Sequence, residues 1–186
     1  MTRDTPGIGH NSGQDFSGYS SRLHQWRKAR RDLIAPAIPI EVIRMRVRRA
    51  AAIGLDYGTY ASIRAGTGRD IAALLFSSNA LGMIRRAELD AALAARLDRV
   101  AAERGVLVHR PLPATAPPPL DFAAPAPLFT ESWSGMRAQL REVLRAQKLP
   151  ADAVLLVGET AFERSWCAAL RAGGYLSAER YFGAAR

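Results

Sequence analysis

The sequence predicts an α/β fold, or a mostly helical α+β variant, in which a helical N-terminal half leads into a small sheet with flanking helices. Three observations predict it. Short apolar runs recur at 71–76, 106–109 and 153–157, with the length and composition of buried strands. Segments with apolar residues at helical spacing lie between and around them. Of 186 residues, 48% are hydrophobic and one is cysteine, so the chain can bury a core but cannot build a disulfide framework.

Residues 1–20 are rich in Gly, Ser, Asp and Asn and poor in large aliphatic side chains, so they read as a flexible tail. Within it, Gly7-Ile8-Gly9-His10-Asn11-Ser12-Gly13 resembles a short box found near the N-terminus of many alphaproteobacterial proteins, several of them phage-derived or associated with DNA. That resemblance covers only the box and implies lineage. The box lacks the GK[ST] ending of a P-loop. Next, Arg22, Arg27, Lys28, Arg30 and Arg31 interleave with Leu23, Trp26 and Leu33, a basic amphipathic arm that Pro36 and Pro39 stop.

Ile43 to Arg48 alternates like a strand, but Ile40, Ile43, Val47 and Ala50 also follow a helical face. Context favours a helix ended by Gly54, with Pro39 and Glu41 at its start and Arg44, Arg46, Arg48 and Arg49 forming a cationic face. Asp56 caps a short helix through Tyr57, Tyr60 and Ile63, ended by the Gly66–Gly68 turn. Thr67 and Asp70 have capping-box spacing, so a helix at 71–76 would complete a helix-turn-helix. The sequence IAALLF at 71–76 suits a core, as strand or buried helix, better than base edges.

Leu89, Leu93, Leu97 and Val100 predict an amphipathic helix over 86–104, ended by Gly105 and followed by a strand. Residues 111–128, with seven prolines between 111 and 127, read as a linker separating a basic core region (21–110) from a C-terminal lobe (129–186) docked on it. In that lobe, a helix with Met136, Leu140, Val143 and Leu144, a strand at 153–157, and a helix with Phe162, Trp166, Ala169 and Leu170 are expected.

Charge carries the functional expectation. The chain has 26 basic and 17 acidic side chains, +9 in all, and residues 1–49 hold +6 of it. Arginine supplies 24 of the cations beside 34 alanines, a bias GC-rich coding produces unaided, so the clustering matters more than the residue type. The leading expectation is a regulatory or accessory protein that binds DNA, or RNA, through phosphates contacted by Arg27, Lys28, Arg30, Arg31, Arg44, Arg46, Arg48 and Arg49. An acidic protein partner is the alternative. A third reading is a small α/β enzyme with its site at the strand-end turns, using Ser78, Asn79, Glu159 and Thr160, with Glu159 or Glu163 as base. Set against it, Ser78, Asn79 and Thr160 can simply cap helices.

The histidines, His10, His24 and His109, are scattered, so neither a metal site nor a cofactor is expected. Cys167 beside Trp166 reads as a packed small hydrophobe. The sequence shows no signal-like or bilayer-length apolar stretch, and the expected setting is cytoplasmic.

Overall fold

The computed structural model describes residues 38–183. It divides into two units, residues 1–43 and 44–186. In the first, the Pro39 carbonyl accepts the N–H groups of Val42 and Ile43 and opens helix α1 (Ile40–Ala52). The expected tail and the basic arm, including Arg27, Lys28, Arg30 and Arg31, lie outside the described residues.

The second unit is an α/β fold built on a five-stranded, wholly parallel sheet. Its strands are β1 (Ala73–Ser77), β2 (Glu103–Val108), β3 (Phe122–Pro125), β4 (Val154–Gly158) and β5 (Gly174–Ser177), in the order β3-β2-β1-β4-β5. The helices are α2 (Tyr57–Thr67), α3 (Ala91–Asp98), α4 (Trp133–Ala146), α5 (Ala161–Leu170) and α6 (Ala178–Phe182).

The central strands are continuous apolar runs because both faces are covered. Leu74, Phe76, Val106, Val108, Leu155 and Val157 face one core with Ile53, Tyr60, Leu97, Tyr181 and Phe182. Ala73, Leu75, Leu107, Val154 and Leu156 face a second core, filled by Met136, Leu140 and Leu144 of α4 and Trp166 and Leu170 of α5. The alternation along β1 is the strand period of two, each residue finding an apolar partner.

Several local expectations change. The apolar run at 71–76 enters strand β1 at Ala73, so no helix-turn-helix forms: Asp70 opens no helix, and accepts instead from Arg49 Nε at 3.0 Å and Tyr60 Oη at 2.8 Å. The helix expected over 86–104 is confined to Ala91–Asp98 and capped by Asp90, because Glu103 and Arg104 are drawn into the ladder opposite Ala73 and Leu74. Pairing with a central strand outweighs helix propensity there.

The proline-rich segment read as a linker carries β3, the edge strand beside β2. An edge tolerates Pro125, whose missing N–H deprives no neighbour. Arg104 holds this edge: its Nε and Nη2 each donate to the Asp121 carboxylate at 3.0 Å, and its backbone N–H donates at 2.7 Å. That clamp keeps the Asp121 carboxyl below the usual carboxylate range. Phe122 lies across Gly105, its register partner, so closely that a Cβ there would sit 2.1 Å from the ring. Segments 21–110, 111–128 and 129–186 therefore all contribute strands to one sheet. Among the described residues, no helix is long and apolar enough to cross a membrane.

Candidate functional site at the carboxyl ends of β1 and β4

The strand order reverses between β1 and β4, and in open parallel sheets the crevice beyond such a pair of carboxyl ends is where ligands sit. The turns at this point contain Ser78, Asn79, Glu159 and Thr160, and the tertiary structure adds His109 from the end of β2 and Glu163 from the first turn of α5.

Glu163 is the centre of the arrangement and is fully buried. Its Oε2 accepts the backbone N–H groups of Glu159, at 2.5 Å, and Thr160, at 2.9 Å. In return the Glu163 N–H donates to Thr160 Oγ1 at 3.2 Å, a reciprocal capping box. Its Oε1 accepts from Asn79 Nδ2 at 2.9 Å and lies 3.4 Å from His109 Nε2. Gly158 makes room for this seat: a Cβ there would meet the Tyr175 ring at 2.9 Å and the Glu163 Cβ at 3.0 Å.

Ser78 is equally buried. Its Oγ accepts the His109 backbone N–H at 3.1 Å and stands 2.9 Å from His109 Nδ1. Glu163 Oε1 acts as an acceptor, which sets the ring proton on Nε2 facing it and leaves Nδ1 to accept from the Ser78 hydroxyl. Burial pushes the His109 pKa down and outweighs the opposing pull of Glu163. The ring packs against Trp166, which is wholly buried, at 5.4 Å and tilted by 31°.

Hydroxyl, imidazole and carboxylate thus stand in the order of a nucleophile, a base and its orienting acid. The connectivity lacks access. Ser78 is sealed, and the helix N-terminal donors that could receive an anion are filled by the chain's own Glu163 carboxylate. Of the four residues expected at these turns, Asn79 and Thr160 are brought together around Glu163, Ser78 joins them through His109, and Glu159 is exposed while its N–H serves Glu163. The residue that caps the turn after β1 is Ser77, whose Oγ accepts from Ala80 N–H at 3.0 Å.

No family model, curated protein or solved structure matches this chain. Its function is read from surface and site alone.

Among the described residues no group of three or more His, Cys, Asp or Glu side chains could hold a metal ion. A separate cleft of about 380 Å³ beside α3 is lined by Leu81, Leu93, Asp90, Arg96 and Phe182. Both of its charged groups are committed, Asp90 to the α3 cap and Arg96 to the carbonyls of Tyr181 and Phe182. Burial pushes the Cys167 thiol up, away from the thiolate a nucleophile needs.

The cationic face expected on α1 divides in two. Arg49 turns inward: its three nitrogens donate to Asp70, the Ala101 carbonyl at 2.6 Å and the Ile71 carbonyl at 2.7 Å. It fastens α1 to the start of the sheet. Arg46 is half-buried, and Arg44 and Arg48 are exposed.

Proposed function

We propose that the chain is a non-enzymatic, basic nucleic-acid-binding protein of regulatory or accessory role, contacting phosphates through α1. The observation that carries this reading is the uneven use of charge. Residues 44–183 hold 19 basic and 13 acidic side chains, and on α1 Arg46 and Arg48 lie outside the internal clamp that Arg49 makes, Arg48 exposed to solvent. The crevice where this fold would seat a small substrate is meanwhile filled from within by Glu163. Phosphate contacts of this kind give affinity with little sequence choice.

A filter-binding titration of the full chain on duplex DNA tests it. Replacing Arg44, Arg46 and Arg48 together by Gln is expected to weaken binding and to flatten its salt dependence by about one unit of log–log slope per lost phosphate contact. No binding at low salt, or unchanged affinity in the triple variant, overturns the proposal.

A second reading, an acidic protein partner, is favoured by Met45 and Val47, which are 54% and 43% exposed between the same arginines and which a phosphate backbone leaves uncovered. A pull-down from nuclease-treated lysate separates the two, because a protein partner survives nuclease.

A further inference from the structure

A second surface combines charge with exposed aromatic rings. The turn between β3 and α4 places Leu128, Phe129 and Trp133 in solvent at 42%, 83% and 52% exposure. Singly scattered apolar side chains are ordinary on a surface; three within six residues are not. The turn holds them in place. The Glu131 N–H donates to the Leu128 carbonyl at 3.0 Å, and Ser132 Oγ caps α4 by accepting the Gly135 N–H at 3.1 Å. The Phe129 ring meets Phe162 edge to face at 5.5 Å, so one face of it is braced.

From Trp133, steps of four residues set half-buried Arg137 and exposed Arg141 and Arg145 in a row that winds along α4, with Lys148 just beyond its end. The single acid on the helix is Glu142, 3.3 Å from Arg145. The adjoining side, with Met136, Leu140 and Leu144, is buried, so the helix cannot roll an apolar face into a bilayer.

We propose that the Phe129–Trp133 turn and the Arg137, Arg141 and Arg145 row form a binding surface for single-stranded nucleic acid, distinct from the α1 face. Unpaired bases offer flat π-faces to Phe129 and Trp133, while the phosphates follow the guanidinium row. A duplex keeps its base faces stacked and would cover the cations alone. An acidic polypeptide answers the charge without calling for two rings at the head of the row.

The test is the anisotropy of a labelled oligothymidylate of about 12 nucleotides, titrated with the full chain, beside a duplex of equal length. The expected result is oligothymidylate binding that weakens about tenfold or more when Phe129→Ala and Trp133→Ala are combined, recovers with Trp133→Phe, and weakens with Arg141→Gln. Duplex binding is expected to be unmoved by the aromatic substitutions. Should the double alanine variant lose its fold, Arg141→Gln with Lys148→Gln, both exposed positions, decides through the same titration. The proposal is overturned if either pair binds oligothymidylate as tightly as the unsubstituted chain. It is also overturned if polyglutamate at equal charge displaces the oligonucleotide as well as unlabelled oligothymidylate does, or if the turn is buried between two copies in solution. Loss of duplex binding with oligothymidylate binding retained would remove the α1 reading and leave this one standing.

Discussion

The crevice at the carboxyl ends of β1 and β4 and the outer sides of α1 and α4 are both rich in polar groups, and they use them in opposite ways. In the crevice, donors from three chain segments converge on one buried carboxylate, so its hydrogen-bonding capacity is spent on the fold itself. On α1 and α4, cations such as Arg48, Arg141 and Lys148 stand in solvent with no ion pair among the described residues. A ligand competing for the crevice must first displace Glu163. A polyanion at the helices displaces only water and counterions. Substitutions inside should therefore move stability, and substitutions outside should move affinity.

The largest effect that sharpens this contrast is expected from Glu163→Ala. It leaves the Asn79 amide and two backbone N–H groups without the buried carboxylate that accepts from them, at a cost of about 3–5 kcal/mol in urea unfolding. A loss below about 1 kcal/mol would mean that water reaches these donors and that the crevice is open after all.

The next comparison sits within a single helix. Arg49→Ala breaks three hydrogen bonds that join α1 to the sheet and is expected to destabilise by about 2 kcal/mol, whereas Arg48→Ala stays within about 0.5 kcal/mol. Equal losses in thermal unfolding would erase the division of α1 into an inward and an outward cation set.

The smallest effect is a pH dependence. Burial holds the folded pKa of His109 below the unfolded value of 6.5, so the neutral ring is the form the fold prefers. Its contribution is complete above pH 6.5 and is lost as pH falls from there toward the lower folded value. Stability measured across that window is expected to decline with falling pH, and His109→Gln to reduce the decline. A variant with an undiminished slope would assign the dependence to other groups.

How far the fold was legible depended on the range of the interactions that define each element. The central strands β2 and β4 announced themselves because a strand covered on both faces must be apolar along its length, whereas the same apolar continuity at β1 left strand and buried helix both open. The edge strands did not. β3 hides in Phe122-Ala123-Ala124-Pro125 and β5 in Gly174-Tyr175-Leu176-Ser177, where composition says loop and only a waiting neighbour makes a strand. Asp56 and Gly68 marked the ends of α2 correctly because caps are local. The over-long helix at 86–104 failed at Glu103, where a ladder partner thirty residues back decides the conformation.

The candidate site divides in the same way. Thr160 and Glu163 carry the capping-box spacing in the sequence, and the strand-end turns with Ser78 and Asn79 were placed where the fold puts them. That Glu163 would also bind Asn79, and that His109 would lean on Ser78, had no local signal, since those partners are 84 and 31 residues apart.

The sequence by itself narrowed the fold to α/β or a mostly helical α+β and determined the apolar core runs, the local caps and the positive balance, because apolar period, cap chemistry and formal charge are carried by single residues and their near neighbours. Only the tertiary structure decided which polar groups are spent and which remain. Whether an arginine, a serine or a glutamate faces a partner or the solvent depends on what distant chain is folded against it, and that is how Arg49 and Glu163 became parts of the scaffold while Arg48, Phe129 and Trp133 were left on the surface.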